Sequence, residues 1–296
     1  MGARDEFTSG LPSGARDAES REYAFRAQDF DRVRKLIYAR AGINLNESKQ
    51  NMVYSRLARR LRSLGLDSFS LYLDRLERDA AFDAAEAQQF INALTTNLTS
   101  FFREPHHFPI LAEFLKSTQA RGPARIWCSA ASTGEEPWSI AMTVHEALGD
   151  GSGARLIATD IDTEVLATAA RGVYRLEAAQ GCGEGRLRRF FLRGKGANDG
   201  SVRVKPELAK LAEFATLNLL DEAWPAVAKF APHLDVIFCR NVMIYFDKPT
   251  QRVILGRMAR LLRPGGLLLV GHSENFTDCR DTFTLKGKTV YVRVGA

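Results

Sequence analysis

Two spacings of hydrophobic residues divide the chain into two parts. From residue 23 to residue 93 the apolar positions recur every three or four residues, a spacing typical of amphipathic helices. In "FDRVRKLIYARAGI" the apolar residues Val33, Leu36 and Ile37 share one helix face, and Gly42 ends the pattern. The segments "SFSLYLDRLER" and "DAAEAQQFINALTT" follow the same spacing. We therefore expect an N-terminal helical domain over residues 23–93.

The second helix of this domain is predicted in "SKQNMVYSRLARRLRSL", from Ser48 to Leu64. Its apolar positions fall on one face: Val53, Leu57, Leu61 and Leu64. We expect Ser48 to be the N-cap, because a hydroxyl can accept a hydrogen bond from the first turn, and Gly65 to end the helix.

From Ala124 onward, short apolar runs alternate with helical patterns. Strands are predicted in "ARIWCSA", "ARLIATDID", "LDVIFCRNVMIYF", "GGLLLVGHSE" and "TVYVRV". Helices are predicted in "GEEPWSIAMTVHEAL", "TEVLATAARGVY" and "KPTQRVILGRMARLL", and Thr163 is the expected cap of the second. This alternation indicates an α/β domain with a doubly wound, mainly parallel sheet, which we assign to residues 94–296.

One segment, residues 172–208, departs from that alternation. Its runs "RFFLR" and "SVRVKP" are predicted to pair as antiparallel strands, joined by the glycine-rich loop from Gly194 to Gly200. We therefore expect a small antiparallel β insertion within the α/β domain.

The N-terminus and the cysteines indicate the cellular compartment in which the protein is expected. Residues 1–22 are polar and rich in small residues, without the apolar segment of a secretory signal, and we expect a disordered tail. No run of eighteen apolar residues predicts a membrane span. The four cysteines are scattered, with no CxxC pair. We expect a cytoplasmic protein without a disulfide framework or a bound metal.

Positive charge is concentrated in one stretch of the helical domain. The whole chain has a formal net charge of +6. Between residues 32 and 62 the only acid is Glu47, whereas the basic residues are Arg32, Arg34, Lys35, Arg40, Lys49, Arg56, Arg59, Arg60 and Arg62. Such a cluster favours an acidic partner: nucleic acid, an anionic membrane face or an acidic protein surface.

The predicted strand ends carry the candidate chemistry, because open α/β sheets bind ligands beyond the carboxyl ends of their strands. After the first strand, "SAASTGEE" offers small residues that let the backbone approach a ligand, but it lacks the GxGxxG of a dinucleotide site. Glu135 and Glu136 would repel a pyrophosphate there. Asp160, at the end of the second strand, is placed to accept hydrogen bonds from ribose hydroxyls. An adenosine ligand with a positive tail, such as S-adenosylmethionine (SAM), fits this pattern; acids that only cap a helix and a strand end are the alternative.

Several motifs occur in the order found in one family. From about Phe30 to Val294 the chain resembles the CheR chemotaxis receptor methyltransferases, in "TNLTSFFRE", "ASTGEEPWSIAM", "ATDIDTEVL", "FLRGKG", "NLL", "FCRNVMIYF" and "GGLLLVGHSENF". This resemblance implies a Rossmann-like methyltransferase that uses SAM, without a metal, to methylate glutamate side chains of chemoreceptors. It leaves S-adenosylhomocysteine as product, and we expect a monomer.

The resemblance also implies the residues of the cofactor pocket: Asn97, Thr99, Arg103, Glu135, Asp160, Asn218, Leu219, Arg240 and Asn241. Of these, Asn218 follows a strand-like "FATL" and could bond the adenine, whereas Glu135 could face either the amino-acid portion or the sulfonium. Arg103 could bind the substrate carboxylate or the methionine tail. Tyr245 resembles the family's active-site tyrosine, and we expect its hydroxyl to orient the substrate.

Two surfaces are implied for the chemoreceptor. The basic helix resembles the one thought to contact the acidic methylation region, which assigns Lys49, Arg56, Arg59 and Arg60 to docking. The β insertion resembles the part that grips a C-terminal tether peptide in some members, as an added strand. A charge run that only faces solvent is the alternative for the helix.

Two other functions stay open from the sequence. The basic charge is compatible with a nucleic-acid methyltransferase, although "NVMIYF" lacks the prolines that shape such a loop around a flipped base. A non-catalytic sensing module would keep the pocket but would not need Arg103 and Tyr245, both of which are present.

Overall fold

The chain divides into two compact units, and each is described by itself. The computed structural model describes residues 21–149, 153–230, 233–276 and 279–295. The first unit comprises Met1–Lys35 and Asn46–Ala87, and the second comprises Leu36–Leu45 and Gln88–Ala296. The tail expected over residues 1–22 lies, apart from its last two residues, outside the described part.

Helices form the N-terminal part of the described chain, as the 3.6-residue spacing predicts. They are α1 (Ala27–Ala41), α2 (Gln50–Leu64), α3 (Phe69–Arg78) and α4 (Ala80–Leu94). Val53, Leu57 and Leu61 of the apolar stripe are fully buried. The rings of Phe25 and Phe69 lie 4.5 Å apart between centroids and add an aromatic cluster to this core.

Both expected helix caps are wrong by one or more residues. A short 3₁₀ segment, Glu47–Lys49, precedes α2, and the Ser48 hydroxyl donates to the Asn46 side chain instead of capping the helix. The helix α7 (Thr163–Arg171) is capped by Asp162, whose carboxylate accepts from the backbone of Glu164 at 3.0 Å and of Val165 at 3.2 Å. A carboxylate one position earlier reaches these two amides and takes the place expected for the Thr163 hydroxyl.

A seven-stranded sheet forms the centre of the second unit among the described residues. Its strands are β1 (Ala124–Cys128), β2 (Ala154–Asp160), β6 (Ala212–Thr216), β7 (Leu234–Cys239), β8 (Leu262–Val270), β9 (Phe283–Gly287) and β10 (Val290–Arg293). The order across the sheet is β6-β2-β1-β7-β8-β10-β9, parallel from β6 to β8 and antiparallel at β10 and β9. The predicted doubly wound, mainly parallel sheet is confirmed.

The central strands are buried on both faces, as parallel sheets require. Within β1, Ile126 and Cys128 belong to one buried apolar cluster, and Trp127 belongs to the other. The larger helices of this unit are α5 (His107–Thr118), α6 (Glu135–Leu148), α7 and α12 (Lys248–Leu261). Trp138 of α6 and Trp224 are also buried, one in each cluster.

The predicted antiparallel insertion is also confirmed. Strands β4 (Phe191–Arg193) and β5 (Ser201–Val204) pair antiparallel, and β3 (Val173–Arg175) adds a third strand on the other side of β5. Helices α8 (Leu176–Ala179) and α9 (Glu184–Phe190) lie between β3 and β4, α10 (Pro206–Ala209) connects β5 to β6 of the main sheet, and α11 (Pro225–Ala228) lies between β6 and β7. No helix among the described residues is both long enough and apolar enough to cross a bilayer.

The ion pair between Arg60 and Glu86 supports a stability prediction for the first unit. Arg60 donates to both carboxylate oxygens of Glu86, at 2.8 and 2.6 Å, and the Glu86 side chain is 5% exposed. Replacing Arg60 with Met leaves a buried carboxylate without its cation, so we expect the free energy of unfolding to fall by about 3 kcal/mol. The measurement is the urea midpoint by far-UV circular dichroism.

The neighbouring Arg59 provides the matched control, because its side chain is exposed. Arg59→Met should change the free energy of unfolding by less than about 0.5 kcal/mol. Equal midpoints for the two variants would show that the Arg60 pair contributes nothing net to stability.

Candidate functional site

The candidate site lies where the strand order of the sheet reverses. β1 has β2 on one side and β7 on the other, so the connections after β1 and β7 lead in opposite directions and leave a crevice at their carboxyl ends. The loop Ser129–Gly134 follows β1, and the segment Arg240–Tyr245 follows β7. The segments that follow β2, β6 and β8 begin at the same edge of the sheet, because these strands are parallel to β1 and β7.

The "TNLTSFFRE" segment is hydrogen-bonded to two of these strand ends. The Asn97 amide donates to Asp162 at 2.8 Å, just after β2, and the Asn97 carbonyl accepts from the Ser132 hydroxyl at 3.0 Å, just after β1. Thr99 is half-buried two residues further on, and Leu98 between them is 78% exposed. The structure therefore brings Asn97 to the β1 and β2 ends, and Thr99 follows it two residues later.

Asp160 is buried at the end of β2, and both its oxygens accept backbone amides. Ser132 N–H donates to one oxygen at 2.7 Å, and Asp162 N–H donates to the other at 2.9 Å. Burial raises the pKa of Asp160 to about 6, although these two amides favour the charged form. Each oxygen keeps a second lone pair, so the carboxylate can still accept from a ligand hydroxyl.

The turn into α6 requires glycine at Gly134. Its φ is +101°, and a Cβ there would lie 2.5 Å from the Tyr174 hydroxyl and 2.8 Å from Ala169 Cα. Glu135 follows, half-buried, with one oxygen accepting from the Thr133 hydroxyl at 2.6 Å. The end of β1 therefore has two features side by side. One is a glycine that lets the backbone of Ala169 approach closely, and the other is the carboxylate of Glu135.

Asn218 and Leu219 follow β6, which pairs with β2 up to Asp160. The Asn218 side chain donates to the Arg40 carbonyl at 2.7 Å and accepts from Leu220 N–H at 3.0 Å. Leu219 is buried. The Asn218 side chain therefore holds its own loop, which leaves its second lone pair and second N–H for a ligand.

Arg240 is a fully buried cation at the end of β7. Its guanidinium donates to Glu136 at 2.6 Å and to the Arg103 carbonyl, and it lies 3.5 Å from a Glu104 oxygen. Its side-chain exposure is 0%. Burial raises the pKa of Glu136, and Arg240 opposes that rise by stabilising the charged form. Arg240 thereby joins the β7 end, helix α6 and the "FFRE" loop.

Asn241 has a left-handed backbone, with φ of +57°, immediately after Arg240. Its side chain donates to Glu104 at 3.4 Å, a long contact, and its backbone N–H donates to Glu274 at 3.0 Å. Glu104 also accepts from the backbone of His272 at 3.2 Å. Bonds to His272 and the charge of Arg240 lower the pKa of Glu104 to about 2, against the effect of burial, so it is ionised at neutral pH.

Arg103 and Tyr245 keep side-chain groups available for a substrate. Arg103 is half-buried and uses one guanidinium nitrogen on the Leu98 carbonyl at 2.7 Å. Tyr245 is half-buried and ends a 3₁₀ turn, Met243–Tyr245, after β7. Its backbone carbonyl accepts from Asn44 N–H at 2.9 Å, while its hydroxyl has no hydrogen-bond partner within the described chain.

Several carboxylates of this region were not identified as site residues from the sequence. Glu104, Asp162 and Glu274 lie in quoted motifs, and Glu136 was considered only as a helix-start acid. Each is half-buried or buried and hydrogen-bonded to another strand-end segment. Asp162, just after an apolar strand, and Glu136, at a helix start, offered a sequence signal, but such a signal does not show which way a side chain points; Glu104 and Glu274 lie in loops and offered none.

One group in the described residues has donor atoms spaced closely enough for a metal. The ligand atoms of Glu104, His106 and His107 all lie within 4.8 Å of one another. The buried guanidinium of Arg240, 3.5 Å from Glu104, would repel a cation at that oxygen. Burial, with Arg240 adding to it, lowers the pKa of His107 to about 3, so this imidazole is neutral. That the protein uses no metal stays a prediction.

The four residues expected to dock a receptor belong to the first unit and differ in their surroundings. Lys49 and Arg59 are exposed, whereas Arg56 and Arg60 are half-buried. Arg60 is occupied by the carboxylate of Glu86. We therefore keep Lys49, Arg56 and Arg59 for docking and assign Arg60 to the ion pair.

The strand order and the polar side chains at its switch point define a Rossmann-like α/β protein. Residues 97–292 match the family described as "CheR methyltransferase, SAM binding domain", and residues 28–95 match "CheR methyltransferase, all-alpha domain". The chain belongs to the CheR methyltransferase family, and the resemblance seen in the sequence is confirmed.

The relatives cover nearly the whole chain. The chemotaxis protein methyltransferase of Salmonella typhimurium is 51% identical over 288 residues, 96% of this chain and 97% of that protein. The Escherichia coli protein of the same name is 50% identical over 96% of this chain and 98% of its own length. Chemotaxis protein methyltransferase 2 of Pseudomonas aeruginosa is 51% identical over 92% of this chain and 95% of its length.

The raised pKa of Asp160 gives a pH prediction. If its carboxylate accepts from ribose hydroxyls, the Kd for S-adenosylhomocysteine should rise as the pH falls through about 6, where Asp160 becomes protonated. Because the folded-state pKa lies above that of free Asp, this residue favours the folded state more at low pH, so the protonation of Asp160 does not itself unfold the protein. Titration calorimetry between pH 5 and 7.5 measures it.

Asp160→Asn should weaken binding about tenfold to a hundredfold at neutral pH, the cost of losing charge-assisted hydrogen bonds. Its affinity should no longer change between pH 5 and 7.5. The exposed Asp199, changed to Asn, is the control and should behave like the unchanged protein. An unaltered pH profile in Asp160→Asn would exclude this carboxylate as the titrating group.

Proposed function

We propose that the protein transfers the methyl group of SAM to glutamate side-chain carboxylates of chemoreceptors, for adaptation in bacterial chemotaxis. The products are glutamate methyl esters and S-adenosylhomocysteine. The observation that carries this proposal is 51% identity to a chemotaxis protein methyltransferase over 96% of the chain. We further propose that the enzyme uses no metal, is a monomer and is cytoplasmic.

The proposed reaction needs little acid–base catalysis. A glutamate carboxylate is already ionised at neutral pH, since its ordinary pKa is about 4.3. One of its oxygens attacks the methyl carbon, the bond from that carbon to sulfur breaks, and the electron pair returns to sulfur as a neutral thioether. Such an in-line displacement is accelerated mainly by proximity and orientation.

Arg103 and Tyr245 are the proposed catalytic residues. The available nitrogens of the Arg103 guanidinium can bind a carboxylate in bidentate fashion, either that of the substrate or that of the methionine tail. The Tyr245 hydroxyl, unpaired within the described chain, can donate to the substrate carboxylate. Neither group has to move a proton; each orients a charged reactant.

The proposed cofactor pocket uses the strand ends described above. Asp160 would accept from the ribose hydroxyls and Asn218 would bond the adenine, with Leu219 packing against it. Glu135 would offer its second oxygen to the positively charged end of SAM. Asn97, Thr99, Arg103, Arg240 and Asn241 would close the methionine side.

Receptor docking is proposed for the basic side of α2. Lys49 and Arg59 present positive charge to solvent, and Arg56 lies on the same helix. These side chains are all positively charged, which favours an acidic partner. The attraction would raise the rate of association more than the affinity of the complex.

The β insertion is the proposed place for a receptor tether peptide. Its sheet order, β3-β5-β4, leaves β3 and β4 as edge strands that a peptide could extend. A pocket of about 400 Å³ beside β4 is lined partly by Leu187, Phe191 and Arg193 and would accept an apolar side chain of such a peptide.

A methyl-transfer assay tests the proposal. The protein is incubated with methyl-labelled SAM and either chemoreceptor-rich membranes or DNA and RNA, then treated with mild alkali. Carboxyl methyl esters hydrolyse to volatile methanol, so volatile label should come only from the membrane sample. Alkali-stable label on nucleic acid would instead establish a nucleic-acid methyltransferase.

Tyr245→Phe, which removes only the hydroxyl, is the matched variant for this assay. Turnover should fall about tenfold to a hundredfold, since a hydrogen bond to a charged group is lost, and the Kd for S-adenosylhomocysteine should stay within about twofold. Unchanged turnover would remove Tyr245 from the mechanism.

The docking proposal predicts a separate effect of charge reversal on α2. Lys49→Glu combined with Arg59→Glu should raise the KM for receptor at least about tenfold at low salt, since two attractions become repulsions. The effect should shrink as salt rises. Cofactor affinity should not change. The measurement is receptor methylation at several receptor and salt concentrations.

Lys229→Glu is the control for charge reversal elsewhere on the surface, because Lys229 is exposed in the second unit. It should leave the KM for receptor unchanged. An equal rise in this variant would show a general charge effect, and a loss of cofactor binding in the α2 variant would make this helix structural.

A further inference from the structure

We infer that Glu274 is a positioning residue that fixes the segment Arg240–Met243, and with it the groups proposed to hold SAM and the substrate. This inference rests on the proposed function of the same site. Glu274 lies four residues after β8, in "GHSENF", and is buried. None of the sequence patterns assigns it a role.

One carboxylate serves four backbone amides. One Glu274 oxygen accepts from Val242 N–H at 2.9 Å and Met243 N–H at 2.8 Å. The other accepts from Asn241 N–H at 3.0 Å and Gly271 N–H at 2.5 Å. The side chain therefore ties the end of β8 to three successive residues after β7.

The segment after β7 needs such an acceptor because its backbone leaves the sheet abruptly. Asn241 has φ of +57°, which an asparagine adopts only at a conformational cost, and Met243 begins a 3₁₀ turn. The amides of residues 241 to 243 consequently have no strand partner at a buried strand end. Buried amides without acceptors are strongly disfavoured, so Glu274 selects this backbone shape.

A carboxylate fits these requirements better than an amide. An ionised carboxylate provides acceptor sites on both oxygens and no donor, whereas the amide of glutamine would face backbone N–H groups with its own NH₂. Gly271 adds a steric requirement, because a Cβ there would collide with the Asn241 side chain. Gly271 and Glu274 together accommodate Asn241.

The fixed segment carries the groups that the proposed reaction uses. Arg240 directly precedes the clamped amides, and its guanidinium reaches Glu136 and the Arg103 carbonyl. Tyr245 follows Met243 in the same 3₁₀ turn. A change in the backbone of residues 241 to 243 would thus displace a cofactor residue on one side and the substrate tyrosine on the other.

The test compares Glu274→Gln with Asp235→Asn. Asp235 is also a largely buried carboxylate of this sheet, accepting from Arg125 N–H at 2.8 Å and from Arg263 at 2.5 Å, but it lies at the opposite end of β7. For both variants and the unchanged protein, the Tm and the Kd for S-adenosylhomocysteine are measured, the latter well below each Tm. Hydrogen exchange of the amides of residues 241 to 243 is measured in parallel.

A positioning role predicts that Glu274→Gln raises the Kd at least about tenfold and lowers amide protection within residues 241 to 243, whereas Asp235→Asn changes the Kd by less than about twofold. Glu274→Asp, which keeps the charge on a shorter side chain, should lie between Glu274→Gln and the unchanged protein. These results together would not follow from a general loss of stability.

Three results would overturn the inference. The first is a normal Kd in Glu274→Gln. The second is a Kd that rises in Glu274→Gln and in Asp235→Asn in proportion to their loss of Tm. The third is failure of both Glu274→Gln and Glu274→Asp to fold. If the unchanged protein itself did not bind S-adenosylhomocysteine, the proposed function would fall first, and the inference with it.

Discussion

The second unit is organised around one buried positive charge, that of Arg240. A guanidinium without solvent would cost far more than the fold could offset, so carboxylates and a carbonyl must surround it. Glu136, at the start of α6, and the Arg103 carbonyl, in the "FFRE" loop, meet this requirement. These partners come from separate parts of the chain, so satisfying one charge sets the relative positions of the strand end, the helix and the loop.

The architecture of this protein could be predicted from the sequence because it depends on repeated patterns. The spacing of Val53, Leu57 and Leu61 shows which face of α2 is buried, and the apolar run of β1 shows a strand covered on both sides. The antiparallel insertion was marked by its glycine-rich loop. Each of these signals lies within one stretch of sequence, so residues that are close together in the chain determine the structure that forms.

The details of the candidate site could not be predicted in the same way, because they depend on single contacts between distant segments. Glu135 and Glu136 look alike in the sequence, yet Glu136 pairs with Arg240 while Glu135 bonds the nearby Thr133. Arg59 and Arg60 are adjacent, yet only Arg60 meets Glu86, twenty-six residues away. Charge counted along the chain therefore overstates the positive surface, since Arg32 likewise bonds Asp74 and Glu77.

The distribution of tryptophan has a spectroscopic consequence. The chain contains three tryptophans, Trp127, Trp138 and Trp224, all in the second unit and at most 5% exposed. The first unit contains tyrosines, such as Tyr54 and Tyr72, but no tryptophan. Fluorescence excited where only tryptophan absorbs therefore reports on the second unit alone, whereas far-UV dichroism reports on the helices of both units. Recording both signals during one denaturation would assign to the first unit any transition that appears in the dichroism but not in the fluorescence, without a label or a truncated chain.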